Sequence, residues 1–119
     1  MPIKTAEQVL RDAKAQIQEY TPAQVLEMQK RGEKLTFLDV RDPNEASLGK
    51  IPGAVHISRG RLEQNIEAAV PRDANIVIYC SNGNRSALAA LSLRDMGYER
   101  LSSLSTGING WTSAGGEVD

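Results

Sequence analysis

Disulfide frameworks, metal centres and membrane spans all demand residues or runs that this 119-residue sequence scarcely has. Its single cysteine cannot form an intramolecular disulfide, so nothing points to an oxidising compartment. With one histidine, no set of His, Asp and Glu falls at metal-ligand spacing. Gly107 with Gly110 is too slight for a nucleotide loop, and no cofactor is expected. A net charge of −1 gives no electrostatic case for nucleic acid or for an anionic membrane surface. No apolar stretch approaches the roughly 20 residues of a membrane span. Glu7, Arg11, Asp12 and Lys14 interrupt any signal-peptide core, so the cytoplasm is the expected location. What is present is ordinary for a soluble globular chain, with 40% apolar and 24% charged residues. One domain over residues 1–119 is expected, with an amino-terminal helix over 1–16 and a core over 17–115.

Strand and helix signals alternate along the chain. Ile3, Ala6, Leu10, Ala13 and Ile17 recur at helical spacing. Thr21-Pro22-Ala23-Gln24 reads as a capping box with proline at the first helical position, opening a helix that Gly32 ends. Leu35 to Val40 predicts a strand. Asp42-Pro43-Asn44-Glu45 caps a short helix that runs to Gly49. A turn at Ile51-Pro52-Gly53 leads into a strand over Ala54 to Ile57, and a helical pattern extends from Ser58 to Pro71. Ile76-Val77-Ile78-Tyr79 is unbroken apolar, as expected of a strand buried on both faces of a parallel sheet. A helix from about Ser86 to Met96, a strand over Leu101 to Leu104 and a short helix carrying Ile108 and Trp111 complete the chain. The class is therefore α/β with a mainly parallel sheet.

The lone cysteine, Cys80, follows the most buried strand and precedes Ser81-Asn82-Gly83-Asn84-Arg85-Ser86 and a helix. In open α/β sheets, ligand sites lie beyond the carboxyl ends of strands. Gly83 takes positive φ freely, and asparagine tolerates it better than most residues, so the loop can turn several N–H groups toward one point. A helix start, equivalent to about half a positive charge, and the Arg85 guanidinium add to the effect. All of these favour thiolate over thiol and predict a depressed thiol pKa. The same loop, Ser81, Asn82, Gly83, Asn84, Arg85 and Ser86, is the candidate substrate-binding set, because a guanidinium fork matches oxyanions. A buried, inert cysteine ending a core strand is the plainer reading of a cysteine taken alone, but the Ser-Asn-Gly-Asn-Arg-Ser loop and the helix after it count against that; Asn82-Gly83 as a hairpin turn is opposed by the helical run from Ser86.

The pattern resembles the rhodanese (thiosulfate:cyanide sulfurtransferase) family, specifically its single-domain members. Phe37-Leu38-Asp39-Val40-Arg41 followed by Glu45, Gly49 to Ile57, Cys80 to Ser86, and Gly107 to Trp111 carry the resemblance over about residues 18 to 115. It implies a rhodanese-like, five-stranded mainly parallel sheet flanked by helices on both faces, with Ile17 to Tyr20 supplying a short first strand. It also implies a persulfide on Cys80 during turnover. Lys50, Ala46 and Thr106 depart from residues common in the family, namely a histidine, an aromatic and a glycine.

On this reading Cys80 is the catalytic nucleophile. Its thiolate attacks the outer sulfur of a small anionic donor such as thiosulfate, while Arg85 and the loop amides hold the sulfonate end. With no second cysteine to resolve the persulfide, the acceptor is external: cyanide, a small thiol or a partner protein's cysteine. Asp39 and Arg41 are supporting candidates, Asp39 orienting the loop or pairing with an arginine, Arg41 attracting anions or sitting in an ion pair. Arg59 and Arg61 follow a strand end near the same mouth, whereas His56 and Trp111 read as core. Two other functions compete. A small phosphatase or arsenate reductase of related fold would use a loop one residue longer than the four residues between Cys80 and Arg85 and would need a general acid; Asp42 is explained more simply as a helix cap. A non-catalytic persulfide carrier or binding module would share the same cysteine.

Overall fold

The computed structural model describes residues 3–119 and contains a five-stranded, all-parallel sheet in the order β1-β5-β4-β2-β3. In chain order the elements are α1 (Ala6–Ala15), β1 (Glu19–Tyr20), α2 (Pro22–Lys30), β2 (Thr36–Asp39), α3 (Pro43–Ala46), β3 (Val55–His56), α4 (Leu62–Ala69), β4 (Ile76–Tyr79), α5 (Asn84–Asp95), β5 (Leu101–Leu104) and α6 (Gly107–Ser113). The unbroken apolar run forms the central strand β4, flanked by β2 and β5. Successive strand side chains point to opposite faces, and the molecule accordingly has two cores. Ile76, Ile78 and Cys80 join Leu62, Ile66, Ala89, Ala90 and Leu93 on the α4/α5 face. Val77 and Tyr79 join Val25, Ile108 and Trp111 on the α2/α6 face, where Phe37 meets Trp111 edge-on at 5.6 Å between ring centroids. The two-residue edge strands β1 and β3 leave little unpaired ladder exposed. No helix among the described residues is long and apolar enough to cross a membrane.

The element order follows the pattern in the sequence, and the differences lie at the ends. α1 starts at Ala6 because Thr5 and Gln8 form a reciprocal capping box, which leaves Ile3 93% exposed outside the helix. Ile17 lies beyond its other end, packed on the α5-side core. α3 stops after one turn at Ala46, short of Gly49. The pattern beginning at Ser58 divides into a 3₁₀ turn, Arg59–Arg61, and α4. Most consequentially, α5 begins at Asn84, two residues earlier than expected, with Gly83 at φ +96° as its N-cap. Arg85 therefore belongs to the first helical turn rather than to the loop.

Two polar struts fasten the carboxyl end of the sheet. Asp39 is wholly buried and receives both the backbone N–H and the guanidinium of Arg41, at 2.9 Å and 2.7–3.2 Å. Arg41 also donates to the Gly49 carbonyl at 2.6 Å, and the Ile51 N–H donates to the Tyr79 hydroxyl at 3.1 Å. These bonds tie the β2–β3 connection to the two central strands. Removing one partner of a buried ion pair leaves the other charge uncompensated. Arg41→Ala is therefore expected to destabilise the fold by about 3–5 kcal/mol in urea unfolding, and a change below 1 kcal/mol would show the strut to be dispensable. A second prediction concerns Thr106, the one non-glycine residue with positive φ (+62°) among the described residues. The left-handed region costs an L-residue about 1–2 kcal/mol, partly offset by glycine's greater loss of backbone entropy, so Thr106→Gly is expected to raise stability by up to about 1 kcal/mol. A lowered melting temperature would contradict this.

Candidate active site

Cys80 ends the central strand, and the chain then turns through Ser81, Asn82 and Gly83 into α5. Gly83 donates its N–H to the Cys80 sulfur at 3.1 Å, and the Ser86 hydroxyl lies 3.6 Å from it. Ser86 is in turn 2.8 Å from the Ser103 hydroxyl on β5, which fixes its orientation. Cys80 has no solvent-accessible surface. Burial pushes the thiol up, but the Ser86 hydroxyl and the N–H groups of Ser86, Asn82 and Gly83 outweigh it and hold the thiol below the ordinary range. The sulfur thus has aliphatic neighbours of the α5-side core on one side and converging hydrogen-bond donors on the other.

The loop is held in that shape from behind. At the start of α6, the N–H of Ile108 donates to the Cys80 carbonyl at 2.9 Å and that of Asn109 to the Ser81 carbonyl at 3.2 Å. With these carbonyls turned toward α6, the following amides are free to face the sulfur. The approach requires glycine at 107, where φ is +58° and a Cβ would lie 2.5 Å from both carbonyl oxygens. Thr106 precedes it in the same left-handed region, its hydroxyl donating to the Ser105 carbonyl.

The remaining candidates take distinct places. The Ser81 hydroxyl donates to Glu45 Oε1 at 2.8 Å. Asn82 Oδ1 accepts from the Asn84 N–H at 3.3 Å, and Asn84 Oδ1 accepts from Lys14 on α1 at 2.9 Å. The Arg85 fork closes on Glu45 in two 2.8 Å bonds, with a third to Ser81 at 3.2 Å and Asp42 Oδ2 at 3.9 Å. Glu45 is held well below the usual carboxylate range by Arg85 first, against the opposing effect of burial, with further help from Ser81 and the Asp42 N–H. Of the two readings of Arg41, the structure gives the ion pair: its guanidinium is 5% exposed and bound to Asp39 and Gly49. Asp39 accordingly bonds that arginine and not the loop amides. Arg59 pairs with Glu63 at 2.8 Å. His56 is half-buried, its Nε2 2.8 Å from the Arg41 carbonyl, and Trp111 is buried in the α6-side core.

Three neighbours escaped sequence reasoning. Glu45 had a signal, since it stands three residues after Asp42 in a capping pattern, and its carboxylate does accept the Asp42 N–H at 3.0 Å. That local role concealed its second partner forty residues away. Ser103 and Lys14 had none, because both meet the loop only through the sheet order and the packing of α1 on α5. Beside Ser81 a groove of about 300 Å³ is lined by the paired Arg41 and Glu45 and by Leu48, Ile108, Asn109 and Val118 among others.

Comparison with known proteins accords with this geometry. The family model for the rhodanese-like domain matches residues 21–114. The Pseudomonas aeruginosa protein named thiosulfate sulfurtransferase GlpE is 33% identical over 96 residues, covering 81% of this chain and 84% of its own. A Bacillus subtilis protein provisionally named a sulfur carrier, YrkF, is 35% identical over 80 residues, or 67% of this chain; the match spans only 43% of that longer relative. Among solved structures, RPA3614 of Rhodopseudomonas palustris, a protein of unknown function described as a possible tyrosine phosphatase, superposes with a TM-score of 0.86 at 34% identity, covering 100% of this chain and 99% of that one. With 94 of its 119 residues matched by the family model, the chain belongs to the rhodanese-like domain family.

Proposed function

We propose that the protein is a sulfurtransferase that moves sulfane sulfur through a persulfide on Cys80. The observation that carries this reading is the set of donors converging on the Cys80 sulfur, which favours the thiolate, the nucleophilic form. With thiosulfate, the reference donor, the thiolate attacks the outer sulfur, the Cys80 S–S bond forms, the S–S bond of thiosulfate breaks, and its electron pair leaves with sulfite. Cyanide or an external thiol then takes the outer sulfur, a two-step course that implies ping-pong kinetics. The loop donors that stabilise the thiolate also stabilise the negative charge carried by the persulfide. Because the sulfur is fully buried, the donor enters only as the side chains over the loop part. A pure carrier would pass through the same persulfide; catalysis is separated from carrying by turnover with small donors and acceptors.

The likeness to RPA3614 favours one further reading, phosphate-ester hydrolysis. Two features weigh against it. Only four residues separate Cys80 from Arg85, a tight cradle for a phosphoryl group, and Arg85 is already bound bidentately by Glu45. Asp42, the candidate for the general acid such chemistry needs, has its side chain 69% exposed and 3.9 Å from Arg85.

Incubation with thiosulfate is expected to add one sulfur atom to the intact mass, which cyanide then removes, and Cys80→Ser should show neither change. Rapid hydrolysis of an aryl phosphate without any mass gain would replace this function by the phosphatase one. The pH dependence supplies a second prediction. Thiolate absorbance in the ultraviolet is expected to reach its half-point below the value of about 8.5 for a free thiol, and persulfide loading should follow the same curve. Since the folded pKa is lowered, the associated stability is fully present above the unfolded pKa and is lost as the pH falls through the folded one. A half-point above that of a free thiol would mean that burial prevails over the donors.

A further inference from the structure

Resting on the sulfurtransferase reading, the charges around the loop narrow the donor. Arg85, in the first turn of the helix that follows the thiol loop, is closed by two 2.8 Å bonds to Glu45, and Asp42 lies 3.9 Å from the same guanidinium, while Arg41, which lines the groove beside Ser81, is bound to Asp39. Lys14 is bound to the Asn84 side chain. Three cations, Arg41, Arg85 and Lys14, thus stand against three carboxylates, Asp39, Glu45 and Asp42, and these groups give the mouth no net positive charge even before the Cys80 thiolate forms. A dianion approaching that thiolate meets repulsion with no cation surplus to offset it. The adjoining groove has the paired Arg41 and Glu45 beside Ser81 and an apolar wall of Leu48, Ile108 and Val118, with Leu48 89% exposed. That apolar wall suits an organic group, which thiosulfate lacks.

We propose that the site is built for an organic hydropersulfide, R–S–SH, in preference to dianionic thiosulfate, and that Glu45 is the positioning residue that sets this preference by occupying Arg85. In the transfer the Cys80 thiolate attacks the outer sulfur of R–S–SH, and the Cys80 S–S bond forms. The S–S bond of the donor breaks and its electron pair leaves as R–S⁻. The outer sulfur keeps its proton, so charge and atoms balance without an oxidant or reductant. The R group lies along the Leu48–Ile108–Val118 groove.

The test compares loading of Cys80 from cysteine hydropersulfide and from thiosulfate, in the unsubstituted protein and in Glu45→Gln, which keeps an oxygen to accept the Asp42 N–H. In Glu45→Gln the ratio of kcat/KM for hydropersulfide to that for thiosulfate is expected to fall about tenfold, as one uncompensated charge allows. The change should fall mainly on the KM for thiosulfate. In the unsubstituted protein, added salt should speed the thiosulfate reaction and leave the hydropersulfide one nearly constant. Asp42→Asn, at an exposed position where asparagine also caps a helix, should shift the ratio the same way by a smaller factor, and it carries the test if Glu45→Gln does not fold. A ratio unchanged within twofold in a folded variant, or a loss of both reactions in equal proportion, would overturn the inference while leaving sulfur transfer standing. Failure of both donors to load Cys80 in the unsubstituted protein would instead overturn the sulfurtransferase reading itself.

Discussion

A sulfur anion in the interior of a sheet is tolerable only where hydrogens converge on it, and here that convergence is a property of backbone conformation. Cys80 lies in the alternation of β4 that faces α5, among Ala89, Ala90 and Leu93. Desolvation alone would keep it protonated. What reverses this is the turn at Gly83 and the early start of α5, which together present the N–H groups of Asn82, Gly83 and Ser86 to one atom. The turn is braced from outside the loop, since the first amides of α6 bind the carbonyls of Cys80 and Ser81. The chemistry of the thiol is therefore coupled to the backbone of an element outside the loop. Gly107, which no functional group marks, is as much a condition of the site as Ser86.

Two arginine–carboxylate pairs near the site serve different physical ends. Asp39–Arg41 is buried, sheltered from salt, and satisfied further by the Gly49 carbonyl. It is costly to break, but replacement by apolar residues could equal it, so its contribution lies in fixing where the β2–β3 connection runs. Glu45–Arg85 is half-exposed, and solvent screening limits its worth to the fold. Its consequence is electrostatic: it removes the free cation that an anion-binding loop would otherwise offer. An arginine–carboxylate pair thus acts once as a brace and once as a governor of charge.

The parts of this fold legible in the sequence are those set by local periodicity and by strand burial. The unbroken Ile76–Tyr79 run identified the central strand, and its alternation between two cores follows from strand geometry alone. Thr21–Gln24 announced α2 through chemistry complete within four residues. Helix ends were less legible. The box at Thr5 and Gln8 lay inside a pattern dominated by apolar spacing, and α5 gained a turn because Gly83 serves as its N-cap rather than as mid-loop. For the site, the nucleophile and its loop were readable because they are contiguous. Ser103 and Glu45 were not, since each reaches the loop through a pairing of strands or helices that the one-dimensional order does not specify.

The position of Arg85 shows how that gap alters function. Read as sequence, an arginine five residues after a cysteine is an anion clamp; read as structure, it stands in the first turn of α5 with its fork turned to α3. The step of two residues in the helix start decides this, because a helical residue's side chain is directed by the helix axis rather than by the loop. α3 in turn presents Glu45 from its first turn, where the carboxylate also accepts the Asp42 N–H. With both oxygens of Glu45 on its fork, the guanidinium stands paired beside the thiol loop. In the proposed reaction, substrate charge is thus governed through one carboxylate on α3 more than by the composition of the loop that carries the nucleophile.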